Sequence, residues 1–176
     1  LNLPNMVGLA FTVRYIPARE DLNTLEVFKN PKHPQRVAVE KCPKDYVLIF
    51  DSRKDPRAAS AGAILLTRLM VKGCAGVVTD GGFRDSNEIK NMRIHSYHNR
   101  ASSPTNLTLH QAVDINVPIG CGDVAVWPGD LLVGDKEGVV VVPAHLVKGS
   151  ADEVKSMTIY EDCVIEKFRK GSSIKG

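Results

Sequence analysis

Residues 73–90 read GCAGVVTDGGFRDSNEIK. An apolar run from Ala75 to Val78 ends at Thr79-Asp80, two glycines follow, and after Phe83 come Arg84 and Asp85 side by side. A short apolar run bounded by turn residues predicts a buried strand. The polar residues from Asp85 onward predict a short helix. The stretch is therefore a strand–turn–helix joint, and strand carboxyl ends are where open α/β sheets hold their ligands. The same eighteen residues thus point to the fold class and to a candidate site.

Upstream, AGAILLTRLMVKG (61–73) puts Ala63, Leu66 and Met70 at i, i+3 and i+7, with Arg68 and Lys72 on another face. This predicts a helix with Ser60 as a candidate N-cap and Gly73 closing it. DYVLIFD (45–51) and VGLAFTVRYI (7–16) predict buried strands. RVAVEKC (36–42) predicts a short helix, after a polar, weakly helical segment broken by Pro31 and Pro34. SRKDPRAAS (52–60) reads as a loop. Downstream, RIHSYH (93–98) predicts a strand and ASSPTN (101–106) a loop.

Residues 107–143 are rich in valine and turn glycines. They predict short strands at 117–121, 124–126, 131–134 and 139–142, joined by PGD and DKEG turns. A last helix is expected from about Ala144 toward Phe168. The expectation is one α/β domain over residues 1–176, with sheet layers inside and helices outside. The chain opens without Met and almost directly into a strand, so residues preceding Leu1 are expected.

Composition narrows the classes. With 43% hydrophobic and 24% charged residues, the chain reads as globular. A net charge of +3 suits an anionic substrate and does not point to direct nucleic-acid binding. No apolar run approaches the length of a membrane span. Four scattered cysteines without C-x-x-C predict reduced thiols and a cytoplasmic protein. The five histidines read as structural or surface residues; His95 and His98 would fall on opposite faces of a strand. No Walker loop or G-x-S-x-G occurs.

DGGFRD carries two readings. Gly81 and Gly82 let the backbone approach a ligand, Arg84 offers a planar fork for a carboxylate, and Asp85 offers a hard oxygen to a magnesium-like ion. Alternatively, Asp85 with Glu88 three residues on is close to a capping box, and Asp85 merely starts a helix. The helix start at Gly62 has free N–H groups suited to a carboxylate, or small residues chosen for packing.

The blocks GVVTDGGFRD, NVPIGCG and WPGDLLVGDKEGVVVVP together resemble the superfamily that joins the 4-hydroxy-4-methyl-2-oxoglutarate aldolases to the regulator of ribonuclease activity A. The likeness runs from GLAFTVRYIPARED to the last helix. FTVRYIPAREDLNTLEVFKNPKHPQR is similar to the longer subgroup often labelled as ribonuclease regulators. The resemblance implies layered β, β and α elements, as in the swivelling phosphohistidine domain. It also implies a trimer or a hexamer with sites at subunit interfaces, where an acid of the last helix such as Glu161 would contribute.

The resemblance further implies a divalent-metal-dependent lyase, with magnesium or manganese, acting on a 2-keto acid. Arg84 would bind the keto-acid oxygen and stabilise the enolate, and Asp85 would anchor the metal. The helix start Gly62, Ala63, Ile64, Leu65 and Leu66 would cup the substrate carboxylate with backbone N–H groups. Oxaloacetate decarboxylation and dehydration of a sugar-derived keto acid are neighbouring reactions, and binding and inhibition of a ribonuclease is the non-catalytic alternative. Two positions depart from the family pattern. Ala63 stands where active members carry an acid, and Asn106 is the nearest polar candidate where the aldolases have a basic loop residue.

Overall fold

The computed structural model describes residues 3–174. The chain divides into two compact units, Leu1–Val142 and Pro143–Gly176. The first contains strands β1 (Met6–Pro17), β2 (Tyr46–Asp51), β3 (Ala59–Ala61), β4 (Gly76–Thr79), β5 (Gly82–Phe83), β6 (His95–Tyr97) and β7 (Arg100–Ala101). It continues with β8 (His110–Ile115), β9 (Ile119–Cys121), β10 (Val124–Val126), β11 (Leu131–Gly134) and β12 (Val139–Val142). Its helices are α1 (Pro34–Lys41), α2 (Ala63–Val71) and α3 (Ser86–Ile89). The second unit, taken by itself, is a 3-10 turn at Ala144–Leu146 and the 23-residue helix α4 (Val147–Arg169), which buries none of its residues.

A seven-stranded sheet in the order β12-β11-β1-β2-β4-β6 forms the centre, with β8 also paired to β1. One edge of β1 pairs with β2 in parallel from Leu9↔Tyr46 to Arg14↔Asp51. Its other edge is shared by two antiparallel strands, β11 along Met6–Leu9 and β8 along Val13–Pro17. The register shifts between Arg14 and Tyr15, so the strand is bulged there.

Side chains of a strand alternate between faces, and here both faces are apolar. Phe11, Val13, Tyr15, Leu48, Phe50 and Val77 meet Ala38 and Val39 of α1 and Leu66 and Leu69 of α2. Ala10, Val47, Ile49 and Val78 meet Ile119 and Cys121 of β9 and Val126 of β10. The unit is thus a mixed α/β structure with the sheet between a two-stranded ribbon and the helices. Leu48, Phe50, Leu66 and Leu69 are fully buried. Burying a side chain of this size stabilises the fold by roughly 1.5–3 kcal/mol.

Several boundaries differ from the sequence reading. Ser60 does not cap α2: it lies in β3, and Gly62 is the N-cap. Leu69 takes the third core position on α2, while Met70 is only partly buried. β9 begins at Ile119 rather than Val117. β8 was not anticipated, because HQAVDI mixes polar with apolar residues. It forms because His110 and Ala112 turn inward beside β1. Parallel β3, β5 and β7 make a further small sheet out of segments read as loop or turn.

Candidate active site

The joint at residues 80–85 is built in layers from the sheet outward. Asp80, at the end of β4, is buried. Its carboxylate accepts backbone N–H bonds from Ser52 (2.7 Å), Lys54 (3.0 Å) and Gly122 (3.3 Å). One acid therefore ties together the loops that follow β2, β4 and β9. Beside it the hydroxyls of Ser52, Ser60 and Thr79 bond to one another over 2.6–3.2 Å. Gly81 fills the remaining space, since a Cβ there would meet Ser52 Cβ at 2.6 Å.

Phe83 is fully buried and anchors the next turn, and Arg84 N–H donates to Ala61 O at 3.1 Å. Arg84 and Asp85 emerge half-exposed, with Arg84 Nε 3.6 Å from Asp85 Oδ2. Asp85 has φ 59° and ψ 32°, in the left-handed region. It occupies the N-cap position of α3, but its carboxylate makes no cap bond there. Instead Asp85 Oδ2 accepts the Ala63 N–H at 3.0 Å. The capping-box reading is corrected: Asp85 reaches across to the first turn of α2, and this is what turns it toward Arg84.

Gly62 is required by close approach. Its backbone is extended (φ −141°), but a Cβ would lie 2.5 Å from Asp85 Oδ2 and 2.9 Å from Arg84 Nε. In the first turn of α2, Ala63 N–H is taken by Asp85, and the Leu65 and Leu66 N–H groups bond to Gly62 O. The Ile64 N–H is left without a partner among the described residues.

A cleft of about 250 Å³ opens here, lined by Gly62, Ile64, Leu65 and Arg84 from the predicted set. Phe28, Gln35, Arg36, Ala59, Ala61, Thr105 and Asn106 complete the lining. Ala63, Leu66 and Asp85 of the predicted set are not among the lining residues. Leu66 is fully buried and Ala63 nearly so, both in the helix-side core. Asn106 lines the cleft, but its side-chain NH₂ donates to His110 O.

Gln35 and Arg36 escaped the sequence reading. The signal available was Pro34, which fixes a helix start and so the direction of the residues after it. A more open hollow of about 520 Å³ lies near Asp80 and His98, where charges of both signs mix and Lys54 pairs with Asp123.

Asp85, 3.6 Å from the lining residue Arg84, is the carboxylate of the predicted pair. No group of three or more His, Cys, Asp or Glu side chains able to hold a metal exists among the described residues. Such a site fits a hard, magnesium-like ion that keeps most of its own water, and does not fit a fully caged metal.

Residues 1–141 match the family profile RraA-like, described as Aldolase/RraA. A Thermus thermophilus protein named 4-hydroxy-4-methyl-2-oxoglutarate aldolase is 30% identical over 122 residues, covering 69% of this chain and 73% of its own. A Halalkalibacterium halodurans protein, whose name assigns it the same activity provisionally, is 37% identical over 119 residues, 65% of this chain. The chain spans about half the length of that relative, 52%.

Among solved structures, Streptomyces coelicolor RraAS2, described as an unusual member of the RNase ES inhibitor RraA family, superposes with a TM-score of 0.80 at 23% identity. That match covers 92% of this chain and 76% of the other, and it speaks for the fold alone. The RNA-processing inhibitor RraA from Thermus thermophilis gives a TM-score of 0.60 at 26% identity over 79% of this chain and 76% of its own. With the sequence profile spanning the central sheet, both its layers and the Arg84-Asp85 joint, the chain belongs to the RraA-like family, Aldolase/RraA.

Proposed function

We propose that the cleft is the active site of a divalent-metal-dependent lyase that splits a 4-hydroxy-2-keto acid to release pyruvate, with oxaloacetate decarboxylation as a related reaction. The observation that carries this reading is the pairing of Arg84 with Asp85 against Gly62, at the mouth of a small cleft with no acid in its lining. The aldolase names of the relatives support it.

In the reaction the 4-hydroxyl gives up its proton to solvent water, the C3–C4 bond breaks and a carbonyl forms at C4. The electron pair passes into the C2–C3 enolate, which becomes pyruvate on protonation at C3. Arg84 donates to the oxygen on which that negative charge develops, and its fork binds in two places where an ammonium binds as a point. The Ile64 N–H and the apolar walls of Ile64 and Leu65 orient the acid end. Asp85 would hold the ion, magnesium or manganese; when bound, such an ion would supply Lewis-acid polarisation of the keto oxygen.

Pyruvate release from 4-hydroxy-2-keto acids and from oxaloacetate tests the reading, with magnesium and with a chelator. Arg84→Gln is expected to lower the rate about 10²–10³-fold, and the chelator to abolish it. Metal-independent turnover, or none with any substrate, would sink the assignment.

Ala63 gives the second reading its footing. It leaves the site one acid short of the pattern the resemblance implies, and a protein that binds and inhibits a ribonuclease needs no such acid. Loss of pyruvate formation together with measurable ribonuclease binding would favour it. Self-association belongs to the first reading. α4 exposes Val154, Met157, Ile159, Tyr160, Ile165 and Phe168, more apolar surface than a lone helix leaves to water. A trimer or a doubled trimer would let Glu161 of one copy complete the site of another. Sedimentation should then give a multiple of three times 19.2 kDa, and a stable monomer at micromolar concentration would contradict it.

A further inference from the structure

Two thiols of the first unit lie against each other, and neither lines the cleft. Cys42 is the C-cap of α1, and Cys74 stands in the turn between α2 and β4. Their Sγ atoms are 3.7 Å apart, across 32 positions of sequence. Both are reduced and buried in the helix-side core, Cys42 completely and Cys74 with 7% of its surface exposed. Cys121 is engaged elsewhere, with its Sγ 3.6 Å from Phe50 O, and Cys163 is exposed on α4.

The backbone around the pair is already joined. Asp45 N–H donates to Gly73 O at 2.9 Å and Ala75 N–H to Tyr46 O at 2.8 Å, so the segment leaving α1 and the segment entering β4 are held side by side. Cys74 Sγ also lies 3.5 Å from Pro43 O and 3.9 Å from Cys42 O. A disulfide needs its sulfurs about 2.05 Å apart, so the gap must close by about 1.7 Å. Modest rotation about the two Cα–Cβ bonds moves the sulfurs on that scale. The two sulfurs are not equivalent. A hydrogen bond from Cys42, and after it the Lys72 ammonium, hold the Cys74 thiol below its ordinary value against the effect of burial. The same hydrogen bond, and burial, push Cys42 up. The thiolate is the nucleophilic form, so Cys74, the more exposed of the two, reacts first and Cys42 resolves it.

We propose that Cys42 and Cys74 form an oxidation site, where hydrogen peroxide converts the two thiols into a disulfide that ties α1 to the turn before β4. The Cys74 thiolate attacks one peroxide oxygen and the O–O bond breaks. The departing hydroxide takes up the proton that the thiol gave up and leaves as water, and Cys74 is then a sulfenic acid. The Cys42 sulfur attacks the Cys74 sulfur, the S–O bond breaks, and hydroxide leaves with the Cys42 proton as a second water. The two thiols lose two electrons in all, and one peroxide becomes two waters. The bridge restricts the unfolded chain more than the folded one. It also fixes the end of α1, the helix that carries Gln35 and Arg36 to the cleft.

Peptide mapping without reductant tests the site, on the full chain treated with hydrogen peroxide in native buffer and then unfolded and alkylated. A cross-linked Cys42–Cys74 peptide is expected at a dose that consumes the exposed Cys163 thiol, and dithiothreitol should release it. The unfolding midpoint of the oxidised protein should rise by about 5–10 °C and return on reduction. In Cys42→Ala the bridge cannot form, and dimedone should trap Cys74 as its sulfenic acid; in Cys74→Ala, Cys42 should stay reduced. Circular dichroism checks that both variants fold, and if either does not, the map of the unmodified protein decides alone. Alkylation of both Cys42 and Cys74 after Cys163 has been consumed, or a bridge that appears only in urea, overturns the proposal.

Discussion

Asp85 is held where an aspartate rests with some strain, since the left-handed region costs a residue with a side chain about 1–2 kcal/mol. The bond from Ala63 N–H to its carboxylate offsets part of that cost and turns the acid toward Arg84. Gly62 makes the approach possible. In Gly62→Ala the new methyl would compete with Asp85 Oδ2 at 2.5 Å and Arg84 Cγ at 2.8 Å. Both are parts of half-exposed side chains that can swing away, so stability should fall by no more than about 1 kcal/mol. On the proposed lyase reading, pyruvate formation should fall at least tenfold, because about 1 Å of misplacement is costly to an oriented site. Urea unfolding and the pyruvate assay, run on the same variant, check the two halves. Unchanged turnover would mean that the Arg84-Asp85 geometry is not what the chemistry uses.

The glycines, the arginine and the acid of this joint were legible as a cluster in the sequence, and the family resemblance implied the roles proposed for them. The direction in which Asp85 points was not legible. A cap and a cross-link to a neighbouring helix need the same residue at the same position, and only the packing of α2 beside α3 separates them. Arg36 was hidden for a related reason. A lone arginine on a helix is ordinary, and only the fold puts it on the cleft.

At the level of elements, the long apolar runs were read well. β1, β2, β4 and α2 all lie within a residue or two of their expected spans, because burial on two sheet faces or one helix face leaves a regular pattern. The short parallel strands β3, β5 and β7 leave none. Two or three residues cannot show a period, and they become strands because Ala59–Ala61 and Gly82–Phe83 are brought side by side. Asp80 illustrates the same point. In sequence it is the acid after a strand; in the fold its carboxylate takes the N–H groups of Ser52 and Lys54 in the loop after β2 and of Gly122 after β9. The candidate site stands on this frame, since Gly81 and β5 follow Asp80 directly.

The first unit carries a pH response in its histidines. Burial holds His33, His98 and His110 below the ordinary imidazole value, and His33 and His98 each keep an Nδ1 with no hydrogen-bond partner. The unfolded chain takes up protons near pH 6.5, where the folded protein does not yet do so. Stability present above that value is therefore lost as pH falls through it toward the lowered folded values. Asp51, held above its ordinary value by burial, works in the opposite sense at more acid pH. The unfolding midpoint should be a few degrees lower at pH 5.5 than at pH 7.5. His98→Phe, which keeps an aromatic ring against Phe83, should flatten the slope. A midpoint independent of pH over that range would show that these rings are not kept neutral by the fold.

The arrangement of β1 also has a consequence in time. One edge of this twelve-residue strand pairs with β2, which follows some thirty residues later, but the other waits for His110–Ile115 and then for Leu131–Gly134, whose last residue pairs with Met6. Contacts this distant along the chain form slowly, because a long loop must close before any of them is gained. On a ribosome adding about 5–20 residues per second, roughly ten seconds separate the appearance of β1 from that of its final partner. Throughout that interval the longest strand of the protein shows a row of bare amides and carbonyls to its surroundings, an invitation to other nascent chains that ends when β11 arrives.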